Sequence, residues 1–271
     1  MCLDGSGQGG DATGGRLRPC ENGAVTTVRE RPGLRGVATP FPATALVVAV
    51  MGWITLVLAL DSGGGRWLQR GLGVLTWAVL VAALSRETGL VRMQTGVVVV
   101  FASLVEYTFS PLLGVYTYRF DNVPAYVPPG HGLVYLAALA IGRTAFVRSH
   151  TRSCTVVVLA AVGAWAAYGI TLSDRHDLLG AFWFVCLAGF LRWGPSPGLY
   201  VGAALVVSYL EIVGTSVGTW SWHDHDPTGL VSIGNPPSGA AGGYGWFDLA
   251  AGAVAPTLLV WSRRALRRRR G

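Results

Sequence analysis

The chain has 271 residues, of which 51% are hydrophobic and only 13% charged, and its mean hydropathy is +0.46. That is too apolar for an ordinary soluble domain and points to a polytopic helical membrane protein. All 21 basic residues are arginine, and they sit in tails and short loops between apolar runs, so membrane topology explains the net charge of +7 and nucleic-acid binding does not.

Residues 1–42 are rich in Gly, Arg, Pro and Asp, lack periodicity, and read as a disordered cytoplasmic tail. No apolar stretch precedes residue 43, so the first span is expected to act as the insertion signal, without a cleavable leader. Eight apolar runs follow, at 43–60, 68–84, 93–115, 131–147, 154–172, 178–193, 199–218 and 240–261. Each is near the ~20 residues that cross a ~30 Å hydrocarbon core at ~1.5 Å per residue. The predicted class is therefore all-α, a membrane bundle of about eight transmembrane helices over 43–262, closed by a basic cytoplasmic tail at 263–271. With both termini inside, only Arg66, Arg70, Arg119 and Arg175 fall on the outer side, as the positive-inside rule requires of a multi-pass protein of the cell membrane. Cys2 and Cys20 lie in the tail and Cys154 and Cys186 in apolar runs, with no Cys-x-x-Cys spacing. Neither a disulfide framework nor a thiolate metal site is read from them.

The eight runs divide into two similar halves, 43–150 and 151–262. Ser103 to Ser110 carries Glu106 inside an apolar run, and Ser208 to Thr215 carries Glu211 in the corresponding place. After the glutamates, Gly114-Val115-Tyr116-Thr117-Tyr118 matches Gly218-Thr219-Trp220-Ser221-Trp222. Pro128-Pro129-Gly130 with Tyr135 matches Pro236-Pro237-Ser238-Gly239 with Tyr244, and one-residue gaps are needed to align the series. Four helices per half is an even number, so the halves share one orientation and form a 4+4 parallel repeat. Both acids then lie in the outer half of the bilayer, where they could face each other across one cavity.

A carboxyl group at the centre of a membrane helix costs about 3 kcal/mol to insert, so two at equivalent places ask for a functional reason. Desolvation favours the neutral form of a carboxyl group, the form a general acid needs. Ser103 and Ser110, and likewise Ser208 and Thr215, fall on the same helical face as their glutamate and could hold it; the structural alternative is that they are packing hydroxyls. Asp248, early in the last run, is a third candidate acid, and it aligns with the apolar Leu139 of the first half. Its alternative is an ordinary acid at a helix start.

Trp222-His223-Asp224-His225-Asp226-Pro227 forms a polar outer loop in which His223, His225 and Asp226 could support the site. The alternating tetrad fixes no coordination geometry, so a solvated or lid-forming loop is preferred to a metal site, and no metal or other cofactor is expected. Asn235-Pro236-Pro237 is a rigid turn whose following backbone amides could cradle an oxygen or anion; the glycines after it could equally serve close helix packing. His131, opening the fourth run, is read as structural. Many aromatics gather at the outer end, among them Tyr116, Tyr118, Trp220, Trp222, Tyr244 and Trp246. They fit an interfacial belt, or an aromatic cavity wall able to stabilise a carbocation through its π faces. The Asp-Asp-x-x-Asp and Asp-x-Asp-Asp motifs, a Walker loop and His-Glu-x-x-His are all missing from the sequence.

At Glu106 with Gly114-Val115-Tyr116-Thr117-Tyr118, and at Glu211 with Gly218-Thr219-Trp220-Ser221-Trp222, the chain resembles integral membrane carotenoid-biosynthesis proteins of the bacterioruberin-type hydratase family. It also looks like the small membrane-bound terpenoid cyclases. The resemblance covers about a third of the chain and implies acid-initiated hydration or cyclisation of a lipophilic isoprenoid without a metal, with Glu106, Glu211 and Asp248 as the acid–base candidates. A proton-coupled transporter, or a non-catalytic membrane subunit, is the competing expectation.

Overall fold

The computed structural model describes residues 42–268. The tail read from residues 1–42, with Cys2 and Cys20, lies outside the described residues apart from Pro42, as do residues 269–271. Each apolar run of the sequence becomes a helix: α1 (Ala43–Gly63), α2 (Arg66–Ser85), α3 (Gly89–Tyr107), α4 (Val127–Arg143), α6 (Thr151–Thr171), α7 (Leu178–Trp193), α8 (Pro197–Ser216) and α9 (Gly243–Arg268). A short α5 (Ala145–Ser149) occupies the end of the fourth run, and α9 continues as far as Arg268, into the segment read from sequence as a tail.

Among the described residues five segments are long and apolar enough to cross a membrane: α1, α2, Gly89–Leu112, α6 and α8; α7 is a shorter apolar helix. The outward surface agrees, since Val48, Val74 and Val185 are 68%, 70% and 66% exposed. Lipid accepts such a surface and water does not. The chain is a helical bundle with the character of a membrane protein.

Local chemistry sets the helix ends. Thr88 accepts the Val91 N–H at the start of α3, Thr144 accepts the Val147 N–H at the start of α5, and Asp177 accepts the Gly180 N–H at the start of α7. Prolines stand in the first turns of α4 and α8, where a missing N–H costs nothing. Helix α3 ends in a π-helical turn, Thr108–Leu112, containing Pro111. Pro111 has no N–H for the Tyr107 carbonyl and its ring crowds that carbonyl, so the turn widens and Leu113 N–H reaches back to the Thr108 carbonyl.

Helix α4 is the axis of the bundle. Every residue from Gly132 to Ala140 is buried, the pattern of a helix enclosed on all sides. Its most extensive partner is α8, and the next most extensive pairing is α3 with α9. The α4–α8 seam is built of small residues: a Cβ on Gly142 would lie 2.6 Å from the Gly198 carbonyl carbon, and one on Gly202 would overlap the Ala138 carbonyl. Ala138 and Gly142 thus meet Gly198 and Gly202, two small-xxx-small patterns brought backbone to backbone.

The connections at 64–65, 113–126, 172–177 and 217–242 gather at one end of the bundle. There the Arg119 guanidinium bonds the Gly64 carbonyl, and Arg175 donates to the carbonyls of Trp222, His223 and Ile233. The opposite end is tied by Arg143 to Glu87 at 3.4 Å. The all-α expectation misses one element at the loop-rich end, a two-stranded ribbon of β1 (Tyr116–Tyr118) and β2 (Trp220–Trp222).

The seam sets a measurable expectation. Gly202→Ala should lower stability by about 1–3 kcal/mol, the usual cost of overpacking a close contact. Gly96→Ala, with nothing within 4 Å of the added carbon, should be neutral or slightly stabilising. Thermal unfolding of the purified variants in detergent measures the difference.

Candidate functional site

The site is built where the two strands cross. Gly114 and Gly218 each take a left-handed conformation, φ 63° and 73°, which ends the preceding helix and turns the chain back across the bundle. After α8, Gly218 N–H bonds the Thr215 carbonyl and Thr219 N–H bonds the Gly214 carbonyl, a Schellman-type close. Eight residues lead from Glu106 to Gly114 but seven from Glu211 to Gly218, and the π-helical turn absorbs the additional one. The one-residue difference between the two stretches thus has a physical counterpart in that turn.

The strands pair antiparallel, with Tyr116 opposite Trp222, Thr117 opposite Ser221 and Tyr118 opposite Trp220. Alternation turns four aromatic side chains to one face and leaves Ser221 exposed on the other. The Tyr116 and Trp222 rings lie 4.5 Å apart and the Tyr118 and Trp220 rings 6.1 Å apart, as cross-strand pairs do. His223 N–H extends the ladder to the Val115 carbonyl, and Arg119 N–H extends it to the Thr219 carbonyl.

Each strand holds one glutamate. Glu106, buried on the last turn of α3, accepts on Oε2 from the Tyr116 hydroxyl at 2.7 Å and the Tyr118 hydroxyl at 2.8 Å. Its Oε1 lies 2.8 Å from His131 Nε2, and the other ring nitrogen of His131 lies 2.8 Å from the Tyr244 hydroxyl. Glu211 on α8 accepts on Oε2 from the indole N–H groups of Trp220 at 3.1 Å and Trp222 at 3.0 Å. Gly214 makes room for this arrangement, because a Cβ there would overlap the Trp220 ring.

Both acids border one cavity of about 290 Å³. Its wall is mostly apolar and aromatic, with Trp53, Phe101, Trp183 and Phe247 joining the strand residues, Tyr244 and Trp246. The polar groups facing it are few, which is the usual form of a small-molecule site.

The structure brings Glu106, Glu211, Tyr116, Tyr118, Trp220, Trp222, Tyr244 and Trp246 to this cavity. Asp248 is buried away from its lining, where it accepts from the Tyr200 hydroxyl at 2.9 Å. The hydroxyls read as supports for the acids serve elsewhere. Ser103 donates to the Val99 carbonyl and Thr215 to the Glu211 carbonyl, because a serine or threonine in a helix reaches its own i−4 carbonyl most easily. Ser110 is buried within the π-helical turn, and Ser208 is half-buried on α8. Asn235 Oδ1 accepts the Trp222 N–H and so fixes the second strand.

The His-Asp-His-Asp loop is a structural clasp. Asp226 accepts from the Thr228 hydroxyl and from the backbone of Thr228, Leu230 and Val231. Asp224 pairs with Arg175 at 2.9 Å, His223 lies 3.3 Å from the Thr117 hydroxyl, and His225 forms an isolated bridge with Ser232. The amides of the Pro-Pro turn do cradle an anion, and it is the chain's own Asp177. Its Oδ1 accepts the Gly180 and Gly234 N–H groups at 2.9 and 2.8 Å, and its Oδ2 accepts the Ser238 N–H at 2.8 Å. Gly239 and Gly242 also pack directly on the α7 backbone at Trp183, so the turn serves close packing as well.

Reading the sequence as a string underrates His131, whose sequence signal is its place at the start of an apolar run at the same end as both acids. Tyr126, another of the aromatics gathered at that end, lines the cavity while bonding the fully buried Asp61, itself held by Gln69, and it is Asp61 that nothing in the sequence announces. Comparison with family models, with curated proteins and with solved structures finds no match for the chain.

Two measurements test this geometry. Tyr118→Phe removes a donor to a buried carboxyl group and should cost about 1–3 kcal/mol in detergent unfolding, whereas Ser221→Ala, on the exposed face, should stay within about 0.5 kcal/mol. For the clasp, the Thr228 hydroxyl and the Val231, Thr228 and Leu230 amides hold the Asp226 carboxyl below its usual range. A lowered folded value means that the contribution is present above the unfolded value and lost as pH falls through the folded one. Protection of the Leu230 and Val231 amides, relative to their intrinsic exchange rates at each pH, should therefore persist through mildly acidic pH and fall only below the ordinary aspartate range, and Asp226→Ala should remove it at every pH.

Proposed function

We propose that the protein is a membrane-embedded isoprenoid cyclase or hydratase that works by carboxylic acid–base chemistry on an alkene or epoxide. The observation that carries this reading is the pair of carboxyl groups bordering one aromatic cavity, each oriented by donors from its own strand. A positioned acid transfers a proton to a double bond, and the cation so formed meets ring faces, chiefly of tryptophan and tyrosine, that attract positive charge. The apolar wall suits a hydrocarbon substrate drawn from the membrane.

In this reading the eight long helices cross the bilayer as two four-helix repeats of one orientation, with both termini cytoplasmic. The strand register supports it: exchanging Tyr116 with Trp220 and Tyr118 with Trp222, the residues equivalent in sequence, maps each cross-strand pair onto the other. So does the pairing of α4 with α8 and of α3 with α9, since the same exchange turns one pair into the other.

The decisive measurement is mass spectrometry of lipid extracts from cells with and without the gene. A polyprenyl lipid should change by the mass of one water if the reaction is hydration, or become an isomer of unchanged mass if it is cyclisation. Glu106→Gln and Glu211→Gln should each abolish that change while leaving a folded protein in the membrane. Unchanged lipids, or full activity in both variants, would overturn the reading.

A further inference from the structure

The two acids are held by chemically different partners. Indole N–H groups can only donate, so both tryptophans fix Oε2 of Glu211 as an acceptor. Among the described residues no other group bonds the Glu211 side-chain carboxyl, which leaves Oε1 to carry a proton at the cavity wall. Glu106 has no oxygen to spare. Two phenols occupy its Oε2 and His131 occupies its Oε1, three partners that together suit a carboxylate rather than an acid. With Glu106 ionised, His131 Nε2 carries the hydrogen between them. The neutral ring then offers Nδ1 as acceptor to the Tyr244 hydroxyl, which borders the cavity. Phenol, imidazole and carboxylate are thus joined in the order of hydroxyl, base and orienting acid that serves proton transfer in unrelated enzymes.

We infer that Glu211 is the proton donor and that Tyr244, His131 and Glu106 form a relay that accepts the proton at the end of the reaction; this rests on the acid–base reading of the cavity given above. Glu211 gives its Oε1 proton to one alkene carbon. The π pair becomes the new C–H bond, the O–H pair stays on the carboxylate, and the neighbouring carbon becomes cationic, whether or not a second double bond then closes a ring on it. An adjacent C–H proton next passes to the Tyr244 oxygen, the phenolic proton moves to His131 Nδ1, and the Nε2 proton moves to Glu106. The released C–H pair becomes the double bond of the product. The substrate leaves as an isomer, one proton has moved from Glu211 to Glu106, and its return to Glu211 closes the cycle with no other reactant consumed.

Infrared difference spectroscopy of purified protein with carboxyl-labelled glutamate tests the assignment without any substrate. At neutral pH a label-sensitive band of a protonated carboxyl group is expected in the wild type and in E106Q, and absent in E211Q. H131Q should add a second such band, because Glu106 loses its imidazole partner. A purely structural histidine would leave the spectrum unchanged. A band that survives in E211Q and vanishes in E106Q, or an unaltered spectrum in H131Q, overturns the proposal. Should a glutamine variant fail to fold, E211D and E106D serve instead, each expected to move or spare the band in the same sense. In the lipid assay Y244F should cut conversion at least tenfold, and undiminished conversion overturns the acceptor step. Absence of any wild-type lipid change overturns the proposed reaction and with it that step, while the spectrum still decides which acid holds the proton.

Discussion

A carboxyl group inside an apolar bundle must find hydrogen-bond partners, and the rest of this architecture follows from how two of them are satisfied. Neither Glu106 nor Glu211 finds them on its own helix, where the nearby hydroxyls are turned to backbone carbonyls. The chain instead reverses at a left-handed glycine after each glutamate-bearing helix and lays an aromatic strand back across the bundle. Unpaired backbone groups in apolar surroundings are costly as well, and the two strands bond each other. One ribbon thereby satisfies two acids and two edges, and it also forms one wall of the cavity between them.

That solution constrains the helices. The ribbon can reach both acids only if α3 and α8 end at the same height, and the small-residue seam between α4 and α8 brings the halves close enough for this. The extra residue after Glu106 would put Tyr116 out of phase with its carboxyl group, and the π-helical turn at Pro111 takes it up. Asp177 binds the loop at Gly234 and Ser238 to the start of α7, and Asn235 between them accepts the Trp222 N–H of β2.

The sequence makes the helices legible because each is carried by an apolar run, and five of the described segments have the length and apolar composition that crossing a hydrocarbon layer requires. Every predicted run has its helix, and α7 coincides with its run from Leu178 to Trp193. The two glutamates and four strand aromatics stand out in the sequence as well, since similar residues recur in the same order at two places in the chain. What escaped was whatever depends on contacts far apart in the chain. The Tyr-Thr-Tyr and Trp-Ser-Trp triplets are too short for their twofold period to announce strands, and nothing local to His131 reveals that Glu106 and Tyr244 flank it. The polar outer loop carries metal-ligand types, yet those aspartates are consumed in holding the loop's own backbone and Arg175.

The two glutamate-bearing stretches share the order of acid, left-handed glycine and aromatic strand, and they differ in chemistry at a few positions. Tyrosines serve the first acid and tryptophans the second. A phenol both donates and accepts, whereas an indole only donates. Aligning Tyr135 with Tyr244 puts the small Ala240 where the first half has His131, so only one acid acquires an imidazole partner. The same alignment sets Asp248 against Leu139, and Asp248 turns to Tyr200 outside the cavity lining. The asymmetry of the cavity therefore rests on His131 and the strand aromatics, not on a third acid. One ribbon orients both carboxyl groups, and these differences decide that Glu106 has partners on both oxygens while both indole N–H groups converge on one oxygen of Glu211.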